Sequence, residues 1–286
     1  MIKDTLYIIG NGFDLAHNMA TRYDDFRKWL IGNGRIDIIK ELQSVFPEQN
    51  KNGYLLWSDF ENALGFYDIN KVINWNWKDL CLIEYTIGEG MFTIPDYYLN
   101  TKLLDIINNS FSEWFSSIPL PIMPKYNNLK KDAYYLTFNY TDTLETLYGI
   151  SEKQILHIHG RVSKKEKLIF GHDREITISG YLNKSFDVRE NNERIQRLND
   201  IDNLRKPCDK IIENNDAFFQ NLSHIQTIYP IGHSCAKIDF PYFQKIKKSI
   251  DAEAIWSFTP YNKDDKRRMQ ELKKMLNLDD KHTIGI

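Results

Sequence analysis

Dense apolar runs alternate along this chain with longer stretches whose apolar residues recur every three or four positions. Three runs, "TLYIIG" at 5–10, "AYYLTFN" at 133–139 and "IQTIYPIG" at 225–232, are each followed by polar or glycine-containing turns and read as strands. They lie too far apart for hairpins, and apolar residues at successive positions suit strands covered on both faces, as in a parallel sheet packed by helices. "QILHIHG" at 154–160 and "AEAIWSFTP" at 252–260 are two further strand candidates. Helical spacing in "YDDFRKWLIG", "LLWSDFENALGFY" and "KLLDIINNSFSEWFSSI" places helices between the first two strands, and "PLPIMPK" ends that section because proline cannot continue a helix. A polar stretch at 186–222 carries helical spacing at Ile195, Leu198, Ile201 and Leu204, and "KDDKRRMQELKKML" aligns Met269, Leu272, Met275 and Leu276 on one stripe. The alternation predicts an α/β fold, a Rossmann-like parallel sheet flanked by helices, in a single domain 1–286 with helical insertions at about 27–130 and 182–222.

Composition narrows the chemistry more than the fold. The 286 residues are 42% hydrophobic and 13% aromatic, ample for a packed core. With 37 Lys plus Arg against 39 Asp plus Glu the formal charge is −2, so no general affinity for nucleic acid is indicated, although a local basic patch at Lys263–Lys274 stays open. Cys81, Cys208 and Cys235 are odd in number and lack C-x-x-C spacing, which suggests neither a disulfide framework nor a cysteine zinc site. No apolar run approaches the ~20 residues that span a bilayer, and the start shows no cleavage signal. An untargeted cytoplasmic chain with no membrane partner is expected.

Ligands of open parallel sheets bind outside the carboxyl ends of the strands. Unusual polar residues fall there: Asn11 and Asp14 after the first strand, Asn139, Thr141 and Asp142 after the second, His159 after the "HIH" run, and His233 and Ser234 after "IYPIG". Gly10 and Gly12 would let the backbone turn tightly and approach a ligand at the start of a helix, or they form a plain turn with Asp14 as N-cap. His17, one turn on, reads as a surface histidine. Asn139 is suited to a substrate carbonyl or ribose, or to the turn's own backbone groups, with Tyr140 in packing and Glu145 a surface acid or loop support. His157 and His159, two apart, share a strand face and could supply a metal pair that His172 or His233 completes, or a general base. Ser234 could bind phosphate or ribose hydroxyls, and Asp239 could cap the next segment or orient His233. "GHSCA" lacks the second glycine of a nucleophile elbow, which disfavours a serine hydrolase.

Taken in order, "IIGNGFDLAHNMATRYDDF", "YLTFNYTDTLETLYG", "ILHIHGRV", "IFGHD" and "IYPIGHSCAKIDFPYF" resemble the motifs of the bacteriophage abortive-infection AbiH family. More distantly they are similar to the NAD-binding core of sirtuins and sirtuin-like defence proteins. That resemblance implies a sirtuin-like core in which Gly10, Asn11, Gly12, Asp14, Thr137, Thr141, Asp142, Gly232, His233 and Ser234 hold the nucleotide. His159 and Asn139 would act at the nicotinamide ribose. Asp14 replaces a serine and puts an acid near an anionic pyrophosphate, so it must point away, bind a ribose hydroxyl or mark another ligand. The paired cysteines of the sirtuin zinc ribbon are absent, and no metal is expected. The implied function is phage defence by an NAD-binding enzyme that hydrolyses the nicotinamide–ribose bond. The alternatives are a noncatalytic nucleotide sensor and a metal-dependent nuclease or phosphohydrolase using His157, His159, His172 and an Asp. A phage-derived trigger and a second copy of the chain are the partners this reading leaves room for.

Overall fold

The structure, a computed structural model, describes residues 3–49, 53, 55–66, 101–175, 199 and 201–286. Ile195, Leu198 and Cys81 lie outside the described residues. Five strands fall where the apolar runs place them: β1 (Thr5–Ile9), β2 (Tyr134–Thr137), β3 (Ile155–His157), β4 (Thr227–Ile231) and β5 (Ile255–Ser257). A sixth, β6 (Thr283–Ile284), is two residues long, too short for any periodicity to mark it. All pair in parallel in the order β3-β2-β1-β4-β5-β6. This is the strand order of dinucleotide-binding α/β folds, and it reverses direction between β1 and β4.

Period-two alternation explains why both faces of the central strand are buried. Leu6 and Ile8 join one core with Leu136, Ile228, Trp256 and Tyr242. Tyr7 and Ile9 join another with Phe13, Tyr135, Leu144 and Ile150. The helices among the described residues are α1 (Asn11–Ala16), α2 (Tyr23–Gly32), α3 (Ile36–Val45), α4 (Phe60–Leu64), α5 (Thr101–Ser117), α6 (Thr143–Tyr148), α7 (Cys208–Asn214), α8 (Asp216–Gln220), α9 (Phe240–Ser249) and α10 (Lys263–Met275). On α10 the expected stripe is real: Met269 and Leu272, followed by Leu276, are buried in the first core. Its basic residues alternate with Asp264, Asp265 and Glu271, and Arg268 pairs with Asp265, so the charges form a mixed face rather than a basic patch.

The chain divides into two compact units. One comprises Met1–Arg22, Phe115–Ile169 and Pro207–Ile286 and holds the whole sheet. The other comprises Tyr23–Trp114 and Phe170–Lys206. Its core is aromatic: Phe26 stands 4.5 Å from Phe111 and 5.2 Å from Trp114, and Phe111 stacks on Phe170 at 4.9 Å. A buried ion pair, Lys206 Nζ to Glu61 Oε2 at 2.5 Å, lies within that unit, with the Tyr23 hydroxyl donating to Glu61 at 2.7 Å. His172 also belongs there. Its Nε2 bonds to the Ile201 carbonyl and its Nδ1 accepts from the Arg174 N–H, while burial holds its pKa below the usual histidine value.

Candidate functional site

The carboxyl ends of β1 and β4 meet at the point where the strand order reverses. The Gly10 N–H donates to the Ile231 carbonyl at 3.0 Å and the Gly12 N–H to the Gly232 carbonyl at 2.8 Å. A Cβ on Gly10 would lie 2.5 Å from His233 Cα, and one on Gly12 would lie 2.7 Å from Gly232 Cα. Gly232 is left-handed at φ 64°, and a Cβ there would stand 2.2 Å from the Phe13 nitrogen. These glycines therefore allow two loops to touch each other, and that contact by itself requires glycine at positions 10, 12 and 232. Asn11 is likewise engaged: its Nδ2 donates to the Thr21 carbonyl and its Oδ1 accepts from the Thr21 hydroxyl.

Asp14 is not a helix cap. Helix α1 begins at Asn11 with Gly10 before it, which places Asp14 inside the helix and almost fully buried. Its two oxygens accept from the Thr141 hydroxyl at 2.6 Å and the Thr143 hydroxyl at 2.9 Å, tying α1 to the loop after β2. Burial pushes its pKa up, against the opposing pull of those two hydroxyls, of His17 and of the nearby Asn139 amide. The acid thus points into the β2–α6 loop. His17 is buried too, contrary to the surface expectation, because its Nδ1 bonds to the Phe13 carbonyl and its Nε2 to the Tyr148 hydroxyl, both at 2.7 Å.

The loop after β2 is gripped from a second side. Asp142, at the N-cap position of α6, makes no capping bond; its carboxylate accepts from Arg161 Nε instead. Arg161 also bonds Glu152 at 2.9 Å and lies 3.5 Å from Glu145. His157 Nε2 lies 2.8 Å from Glu145 Oε1, and its Nδ1 lies 3.1 Å from the Asn139 carbonyl oxygen. Glu145 and His157 side chains are only 9% and 8% exposed, so this is a buried network rather than a surface acid with a loose partner. Asp142, Glu145 and His157 bring ligand atoms within 4.8 Å of one another, a spacing that a metal ion could use. The Arg161 guanidinium already occupies that position as the cation, so an ion would have to displace a buried arginine.

The two histidines of "HIHG" do not share a face. Strand β3 stops at His157, and the chain turns through Gly160 at φ 87°, so period two no longer applies at His159. His157 joins the carboxylate network, whereas the buried His159 ring lies 5.0 Å from Phe138 and 5.6 Å from Tyr242, edge-on to both. Phe138 also meets His233 at 4.3 Å. His233 Nδ1 accepts from the Cys235 N–H at 2.9 Å and its Nε2 lies 3.6 Å from Asp239, the orienting role rather than the capping one. Cys235 is buried, and that burial pushes its thiol pKa up, away from the thiolate form. Ser234 is exposed, and its carbonyl accepts from Arg268 Nε at 3.0 Å.

Thr137 and Asn139 sit together, since the Asn139 N–H donates to the Thr137 hydroxyl at 3.1 Å. Asn139 is buried, and its Nδ2 makes no hydrogen bond of ordinary geometry. Tyr140 packs edge-on against Phe115 and donates to the Ile169 carbonyl. Sequence reasoning missed Arg161, Thr143 and the aromatic pair Phe138 and Tyr242. The signal for Arg161 was available: an arginine directly after a strand-ending "HIHG", with Asp142 and Glu145 three apart on one helical face.

The assembly is an α/β protein of Rossmann-like topology whose polar residues cluster at the carboxyl ends of β1 to β4. Residues 6–260 match the family described as "Bacteriophage abortive infection AbiH", and the chain belongs to that family, which carries a role in phage abortive infection. No curated protein and no solved structure matched the chain. No helix among the described residues is long and apolar enough to cross a membrane.

Proposed function

We propose that this AbiH protein defends against phage by binding NAD over the carboxyl ends of β1 to β4 and hydrolysing its nicotinamide–ribose bond. The observation that carries the reading is convergence. Residues 10–14, 137–142, 159 and 232–234, distant in sequence, come to the ends of four adjacent strands arranged in dinucleotide-binding order. Hydrolysis breaks the bond from ribose C1′ to the nicotinamide nitrogen, which takes the electron pair, and water adds its oxygen to C1′ and gives up a proton. Asn139 supplies an amide for the ribose or the water, and His159 is the group to receive a proton. Positioning and electrostatics would carry this chemistry rather than a nucleophile. Asp14, Thr141 and Asp142 act one layer behind, holding the loop that presents Asn139. Gly10, Gly12, Gly232, His233 and Ser234 form the rim on the phosphate and adenosine side.

A second reading, a noncatalytic nucleotide sensor controlling a partner, is favoured by one observation: the His159 ring is 3% exposed and packed between two aromatic rings. Incubation of purified protein with NAD, with and without components of phage-infected cells, separates the two. Release of nicotinamide, reduced by about 100-fold or more in His159→Ala and Asn139→Ala, is the expected outcome for the enzyme. Binding of NAD or ADP-ribose with no nicotinamide released under either condition selects the sensor. If both variants still protect cells fully, the site assignment fails.

A further inference from the structure

We infer that Glu145 and His157 are a positioning pair that sets the Asn139 peptide, and through it the direction of the Asn139 side-chain amide. The inference rests on reading Asn139 as the ligand-contacting residue. His157 is the last residue of β3, in register with Thr137, and its ring leaves the sheet with Nδ1 3.1 Å from the Asn139 carbonyl oxygen and Nε2 2.8 Å from Glu145 Oε1. The Asn139 peptide is thereby held at both ends, its N–H by the Thr137 hydroxyl and its carbonyl by His157. The side chain between these two anchors is buried, and its Nδ2 makes no hydrogen bond of ordinary geometry, although the amide acts on the nearby Asp14 carboxylate. Holding the peptide this firmly beside an incompletely satisfied buried donor suits a group kept ready for an incoming acceptor. Glu145 is in turn fixed by Arg161, which Asp142 and Glu152 also hold, so the pair has no slack to transmit.

The test uses the full chain and a plating assay for phage protection, which reads the site whatever its substrate, alongside nicotinamide release from NAD and thermal unfolding. His157→Leu removes the bond to Asn139 and is expected to lower protection by about tenfold while the protein stays folded. His157→Asn places an amide donor where Nδ1 stood and is expected to restore protection to within about threefold of wild type, a rescue that a generic packing role would not give. In an Asn139→Ala background His157→Leu is expected to add nothing, because the residue it positions is gone. Should His157→Leu fail to fold, the isosteric Glu145→Gln carries the same comparison with and without Asn139. Independent, multiplying losses, or a folded His157→Asn as defective as His157→Leu, would overturn the inference, as would full protection by Asn139→Ala. If the coupling holds in protection while no variant and not even wild type releases nicotinamide, the positioning stands and the NAD reading falls.

Discussion

The loop after β2 and the start of α6, residues Asn139–Thr143, are held from two sides by two kinds of chemistry. On the α1 side a lone buried carboxylate, Asp14, receives the hydroxyls of Thr141 and Thr143. On the β3 side Asp142 and Glu145 are set against Arg161 and His157. The first grip buries a carboxylate whose desolvation outweighs the pull of its hydroxyl donors and of His17, so burial raises the Asp14 pKa. The second sets its acids against the Arg161 guanidinium and the His157 ring, so its strength depends on every member staying present. The difference lies in what each grip fails to tolerate: added negative charge in one, a missing partner in the other.

The largest effect is expected from the charged grip. Arg161→Ala strands Asp142 and Glu145 as neighbouring buried acids, and a loss of about 3 kcal/mol in unfolding free energy is expected, at the lower end of values for breaking a buried pair because the side chain keeps some exposure. Denaturant unfolding measures it. Equal stability of wild type and variant would show that the network is a surface feature. By contrast, breaking the exposed Lys28–Asp24 pair on α2 should leave the unfolding free energy nearly unchanged.

Asp14→Asn probes the hydroxyl grip and carries a sign. Because the folded-state pKa is raised above the ordinary 3.8, the native protein binds more protons than the unfolded chain between that value and the raised one. Wild-type stability from this group therefore falls as pH rises through the window, while the asparagine variant has no such dependence. The expected deficit of Asp14→Asn is about 1–2 kcal/mol in acid and shrinks toward neutral pH. A deficit that instead grows with pH would mean that the carboxylate is better stabilised than the unfolded acid, and the contrast between the two grips would collapse.

How much of this was legible beforehand divides along the same line. The sheet was readable because β1, β2 and β4 are continuous apolar runs, and a strand buried on both faces has no other pattern. The convergence of Asn139, His159 and His233 was readable because strand ends are where a parallel sheet puts its loops. What stayed hidden was direction. Asp14 looked like a cap because acids after a glycine turn usually sit at helix starts, yet α1 begins three residues earlier. The pairing of His157 with His159 relied on a strand that ends at His157, and one turn sent the second ring into the aromatic core. Gly10 and Gly12 were recognised as sites of close approach, but the approaching body is the β4 loop, 220 residues away in sequence and invisible to any local pattern.

The smallest expected effect splits the hydroxyl grip itself. Thr141 and Thr143 bond different oxygens of Asp14, at 2.6 and 2.9 Å, and Thr143 is buried while Thr141 is half-buried. Replacing either by valine keeps the shape and deletes one donor. Thr143→Val should cost about 1.5 kcal/mol, because no water can replace its bond, and Thr141→Val about 0.5 kcal/mol, because solvent reaches that side. Thermal unfolding of the two variants at one pH gives the ratio. In Asp14→Asn the order of the two should persist with smaller losses, since a neutral amide oxygen accepts less strongly than a carboxylate. If the two valine variants instead lose equally, the hydroxyls respond to the charge alone and burial does not distinguish them; the Asp14 grip would then work by the same electrostatics as the Arg161 network across the loop.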